Sequence, residues 1–161
     1  MVDKAQIYSW LEEVSDPEIP VLSVIDLGVV RNAQIIDGDW LITITPTYSG
    51  CPAMKTMEED ILSKLKEKGV DSVKVELVLA PAWSTDWLSE NGRMKLREYG
   101  IAPPEHEVDK SVLFAEPTVV PCPKCGSRNT RMVSQFGSTA CKALYQCNEC
   151  QEPYDYFKCL K

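Results

Sequence analysis

The sequence predicts an α+β fold: a compact helix-hairpin-helix-strand domain followed by a small C-terminal β domain that a metal ion holds together. Three observations carry this reading. Apolar residues recur at helical spacing in two segments of the first 70 residues. An Asp37-Gly38 step divides two β-rich runs, and four of the seven cysteines fall into two C-x-x-C pairs.

The first element is a helix over residues 4–14, where Ile7, Trp10, Leu11 and Val14 share a face. The Asp16-Pro17 step stops it, because a residue before proline avoids the helical region. Residues 29–45 form a hairpin, since Asp37-Gly38 tolerates the positive φ angles of a tight type I′ turn. The main core helix follows Cys51-Pro52, with Met54, Met57, Ile61, Leu62 and Leu65 on one face and Gly69 as its stop. Residues 72–79, SVKVELVL, alternate as a half-buried strand does. Residues 80–101 hold two tryptophans and a short helix and cap the first domain, 1–101. Residues 102–117 are acidic and proline-containing and read as a linker. The second domain is 118–161.

Composition narrows the function classes. The chain has 161 residues, 44% of them apolar, so it can bury one ordinary core and leave a satellite that needs a staple. Seventeen basic residues against 24 acidic ones give a net charge of −7, which argues against broad nucleic-acid binding. A local basic set, Lys124, Arg128, Arg131 and Lys142, keeps a nucleic-acid-binding ribbon as the weakest reading. No stretch approaches the roughly 18 apolar residues of a membrane span, and the N-terminus does not read as a secretory signal. A cytoplasmic location is expected, where an odd number of cysteines means metal ligands or reactive thiols rather than a disulfide framework.

The metal site is Cys122, Cys125, Cys147 and Cys150, with 21 residues between the pairs. Each C-x-x-C turn aims backbone amides at its sulfurs, and two such knuckles give the tetrahedral S₄ cage that zinc prefers. The segment resembles a zinc ribbon, with a hairpin around Gly137. A closed Cys₄ shell leaves no position for substrate, so zinc here is structural. The same cage suits a single redox-active iron, which leaves an electron carrier as the alternative function. Cys141 and Cys159 lie outside the pairs and read as ordinary buried thiols, or as replacement ligands during metal transfer.

Cys51 is the candidate reactive thiol. With Pro52 as the first helical residue, Cys51 becomes the N-cap, where the positive end of the helix favours thiolate. The opposite reading, an inert buried cysteine, rests on the same spacing. His106, the one histidine, lies in the linker, so no Cys-His nucleophile pair is in view. Asp16 and Glu18 sit in a proline-fixed turn and read first as capping or solvent contacts. Trp40, Trp83 and Trp87 read as core or rim, although the loop from Pro81 to Trp87 follows a strand end and is a docking candidate.

The stretch SDPEIPVLSVIDLGVV, the hairpin and T-x-T-P-T-x-S-x-C-P resemble the SufT-like, MIP-type family of iron-sulfur assembly domains. The matching residues are Asp16, Pro17, Glu18 and Pro20, then Asp26 to Val29, then Thr47, Gly50, Cys51 and Pro52. That resemblance implies Cys51 as a transient contact to iron or an iron-sulfur cluster, with Asp16 and Glu18 beside it. TYSGCPAM, LAPAWSTDW, GIAPP, CPKCGS, STACKALYQC and CNEC extend the likeness over nearly the whole chain, to the PaaD (PaaJ) family associated with phenylacetyl-CoA epoxidase. It implies an accessory, non-catalytic component of a multicomponent oxygenase in phenylacetate degradation, assisting maturation of an iron-sulfur or iron centre. The implied partners are the oxygenase and the iron-sulfur flavoprotein reductase subunits, with neither nucleic acid nor membrane.

Overall fold

A computed structural model of the chain describes residues 1–47, 50–103, 119–137 and 142–157. His106, Cys141, Cys159 and most of the expected linker lie outside the described residues. Helix α1 (Lys4–Leu11) begins at Asp3, whose side chain accepts from the Gln6 amide while the Gln6 side chain accepts from the Asp3 amide. It stops a turn earlier than the apolar spacing predicts, because the Val14 carbonyl accepts from the Val24 amide and so belongs to the next turn of chain. Strands β1 (Val30–Ile36) and β2 (Asp39–Ile44) form the expected hairpin, with both Asp37 and Gly38 at positive φ.

Helix α2 (Ala53–Glu67) returns the chain so that β3 (Val73–Leu77) pairs parallel to β2, in the order β1-β2-β3. One face of this sheet carries Ala33, Trp40 and Ile42 into a core shared with Ile7 and Leu11 of α1 and Met57, Ile61 and Leu65 of α2. Helix α3 (Glu90–Tyr99) follows a short 3₁₀ turn at Thr85–Trp87 and ends at Gly100 in the left-handed region. Strand β4 (Ile101–Ala102) comes directly after it. Strands β5 (Thr130–Ser134), β6 (Lys142–Cys147) and β7 (Pro153–Phe157) are antiparallel neighbours, and β4 adds to β7 in parallel, giving the order β4-β7-β6-β5. The fold is α+β with two small sheets, as expected; β4 and β7 were not legible in the sequence, β4 because two residues carry no periodicity.

The turn Ser23–Gly28 fastens the second half of the first domain to its core. Asp26 Oδ2 accepts from Lys95 Nζ at 2.6 Å and from the Ser23 amide at 3.2 Å, while Oδ1 accepts from Ser89 Oγ at 3.2 Å. Burial pushes the Asp26 carboxyl up, but Lys95 and the Ser23 groups outweigh this and hold it below the usual carboxylate range. Gly28 has φ +71°, and a Cβ there would lie 2.4 Å from the Trp87 carbonyl oxygen, so the tryptophan loop closes only over a glycine. Trp83 Nε1 donates to the Leu27 carbonyl at 2.7 Å and its ring is buried, which makes Trp83 a core residue and not a docking one. Trp87 is partly buried, with the Arg31 guanidinium 3.4 Å from its ring centroid.

Gly28→Ala is expected to cost about 2 kcal/mol or more, from left-handed strain plus the clash with Trp87, read as a lower urea midpoint at unchanged slope. Because the folded-state pKa of Asp26 is depressed, its contribution is present above the ordinary carboxylate pKa and lost as pH falls through the depressed value. Lys95→Met removes the cation that lowers it, so acid unfolding monitored by far-UV circular dichroism should begin at higher pH in that variant.

Candidate metal centre

The two knuckles are built alike. In the first, the Gly126 amide donates to the Cys122 carbonyl at 2.8 Å and the Cys122 amide to the Ser127 carbonyl at 2.9 Å. In the second, the Cys147 amide donates to the Glu152 carbonyl at 3.0 Å. The residue after each second cysteine takes positive φ: Gly126 at 76° and, without glycine's freedom, Gln151 at 64°. Gln151 is held there by its side chain, which donates to the Asn148 carbonyl at 2.8 Å. The knuckles are tied to each other by the Asn148 amide on the Asn129 carbonyl and by Asn148 Nδ2 on Asn129 Oδ1 at 3.0 Å. Tyr154 Oη and Thr130 Oγ1 both donate to the Val120 carbonyl and fix the chain entering the first knuckle.

All four sulfurs lie within 4.8 Å of one another, Cys122 to Cys150 at 3.7 Å and Cys125 to Cys147 at 3.6 Å. Sulfurs about 2.3 Å from a tetrahedral zinc stand roughly 3.8 Å apart, so the spacing fits one four-coordinate ion. It is far from the disulfide S–S length of about 2 Å. Cys122 and Cys147 are buried and Cys125 and Cys150 face the surface. Backbone amides reach the sulfurs as the knuckle geometry requires: Ser127 to Cys125, Cys150 and Glu149 to Cys147, and Glu152 to Cys150. Four thiolates this close repel. The Cys150 and Glu149 amides, against burial, bring Cys147 down to about 7; at Cys125 the Ser127 amide is outweighed by burial and the neighbouring sulfurs, which push it up to about 12. A bound cation removes that repulsion and deprotonates all four.

The other candidates are placed separately. Pro52, not Cys51, occupies the N-cap of α2, one residue later than the sequence suggests; Cys51 precedes it and is buried among the residues of the first core at 8% exposure, as the buried-cysteine reading expects. Asp16 is 5% exposed, and its Oδ1 accepts from the Glu18 amide at 2.6 Å and the Ile19 amide at 3.4 Å, closing the Asp-Pro-Glu turn. Burial raises its pKa, against those two amides. Glu18 is partly exposed. Among the described residues the four cysteines are the one group of three or more His, Cys, Asp or Glu side chains close enough to share a metal; Cys51, Asp16 and Glu18 are not drawn into such a group. The basic set of the second domain is dispersed: Lys124 pairs with Glu152, Arg131 bonds Gln146, and Lys142 is buried with its ammonium on the Glu18 carbonyl. That removes Lys142 from any nucleic-acid-binding face. Sequence reasoning did not foresee this inward lysine, nor Phe157, which enters the core of the first domain; neither has a local signal.

Comparison with known proteins divides the chain in the same order. Residues 4–77 match the model of an iron-sulfur cluster assembly protein family, and residues 106–158 match the PaaD zinc beta ribbon domain. A protein of Escherichia coli strain K12 whose name makes it a subunit of 1,2-phenylacetyl-CoA epoxidase is 48% identical over 96% of this chain and 92% of its own length. An Fe-S protein maturation auxiliary factor of Porphyromonas gingivalis is 40% identical over 56% of this chain and 87% of its own. The crystal structure of a DUF59 domain of unknown function from Bacillus anthracis superposes with a TM-score of 0.54 at 28% identity, covering 58% of this chain and 90% of that one.

The expected metal stoichiometry is one ion per chain, and Cys122→Ser or Cys147→Ser, each removing a buried ligand, should abolish it. Elemental analysis of the purified protein, with native mass spectrometry, checks both.

Proposed function

Since the chain belongs to the PaaD family of phenylacetyl-CoA epoxidase subunits, in which an iron-sulfur assembly domain is joined to a zinc β ribbon, we propose that it is an accessory maturation factor of that oxygenase system. The observation that carries this reading is the modular match. The first half of the chain accounts for nearly the full length of a free-standing Fe-S maturation factor, and the ribbon is what this chain adds to it. In this reading Cys51 makes the transient thiolate contact to iron or a cluster, and Asp16 and Glu18 of the Asp-Pro-Glu turn contribute without forming a cage in advance. Thiolate is the soft ligand that iron-sulfur chemistry needs, and a contact that must release its cargo is served by few ligands. The clients are the oxygenase or the iron-sulfur flavoprotein reductase. The ribbon holds structural zinc and, with its coordination shell closed, offers a protein surface and no open metal position.

The competing function, an electron carrier, is separated by the metal itself. An S₄ iron site gives thiolate-to-iron charge-transfer absorption and a colour; a zinc site gives neither. Protein prepared under iron-replete and zinc-replete conditions is expected to be colourless in both and to carry zinc.

Cys51→Ser should leave folding and the ribbon metal intact and lower the iron and acid-labile sulfide recovered with client subunits from the same cells. Clients that reach full iron and sulfide content with the serine variant would overturn the role given to Cys51.

A further inference from the structure

The two domains meet through side chains at the far ends of the strands that enter and leave the second metal knuckle. Strand β6 runs from Cys147, a metal ligand, back to Lys142. Lys142 is 6% exposed, and its Nζ donates to the Glu18 carbonyl at 3.2 Å, across 124 residues of sequence. Strand β7 leaves the second knuckle and ends at Phe157, 1% exposed in the core of the first domain, where its ring meets Trp83 edge-on at 5.8 Å. Strand β4, at the end of α3, completes the same sheet.

A buried ammonium is costly unless it is compensated. Here compensation comes from the other domain: the Glu18 carbonyl accepts its hydrogen bond, and the Asp16 carboxylate is close enough to feel its charge. An apolar residue would fill the same interface without that cost. The lysine therefore specifies one docking arrangement, and it does so on the turn whose Glu18 and Ile19 amides are already gathered by Asp16. Lys142 and Cys147 are the two ends of one paired strand, so the placement of the lysine depends on the second knuckle being closed.

We propose that Lys142 is a positioning residue for the Asp16–Ile19 turn, and that metal binding by the four cysteines delivers it there. The ribbon is then part of the assembly domain's own candidate site and not only an appended docking module. This gives the maturation reading a regulatory step, because a chain that has lost its ribbon metal presents a loosened Asp-Pro-Glu turn. The inference rests on that reading for its functional meaning; the coupling itself does not.

The test uses the full-length, metal-loaded chain and backbone amide hydrogen exchange. Lys142→Met should speed exchange of the Glu18 and Ile19 amides by about tenfold or more, while β2 amides such as Ile42 and the metal content stay unchanged. Lys142→Arg, which keeps the cation, should restore part of the protection. Chelation of the wild-type chain should reproduce the loss at Glu18 and Ile19, an arm that stands even where Lys142→Met fails to fold. Unchanged exchange at both amides in Lys142→Met, or on chelation, would sink the proposal, as would a uniform loss that includes β2, which indicates mere destabilisation. Cys51→Ser in the same assay is expected to leave these amides alone, so failure of the cluster-delivery reading and failure of the coupling give different results.

Discussion

Four thiolates crowded within 4.8 Å of each other are the constraint on which the second domain depends. Held that close they repel, and only a cation at their centre makes the arrangement favourable. The segment's own hydrophobic cluster is small: among the described residues Val120, Ala143, Tyr145 and Tyr154 are buried there with Cys122, Cys147 and Ala102 of β4, and Tyr156 packs against them. Such a core cannot offset the ordering entropy of about forty residues without a staple. The metal provides it by closing two knuckles at once, and strands β6 and β7 extend outward from those knuckles.

The first domain has an ordinary core and needs no metal to form it. Its particular feature is the Ser23–Gly28 turn, which receives three separate attachments from residues 83–95: the Trp83 indole on Leu27, the Trp87 backbone over Gly28, and Ser89 with Lys95 on Asp26. The tryptophan loop is thereby folded inward and builds the socket that Phe157 of the ribbon fills. Trp83 of the loop thus lies at the contact between the domains, while Pro81, Ala82 and Asp86 of the same loop stay exposed.

The chemistry assigned to each half follows from its ligand count. A closed four-sulfur shell saturates its ion and makes it a structural element. Cys51, at the start of α2 and buried in the first core, stands outside any cluster of three or more metal ligands among the described residues, so the role proposed for it is that of a lone thiol. The chain carries one histidine, which cannot supply the paired histidine ligands of a di-iron carboxylate centre.

Read alone, the sequence determined what is local. The type I′ turn at Asp37-Gly38, the apolar face of α2 with its Gly69 stop, the alternation of β3 and the two C-x-x-C knuckles each depend on neighbours a few residues apart, where steric rules and periodicity suffice. It also singled out the four cysteines that the fold brings within 4.8 Å of one another, because tetrahedral thiolate coordination asks for that residue type in paired spacing. Tertiary structure decided the rest: the end of α1, the N-cap shift from Cys51 to Pro52, the inward turn of Trp83, and above all the burial of Lys142 and Phe157 in the other domain. A lysine at the head of a short strand reads as solvated, and only the arrival of a carbonyl from 124 residues away makes its burial affordable.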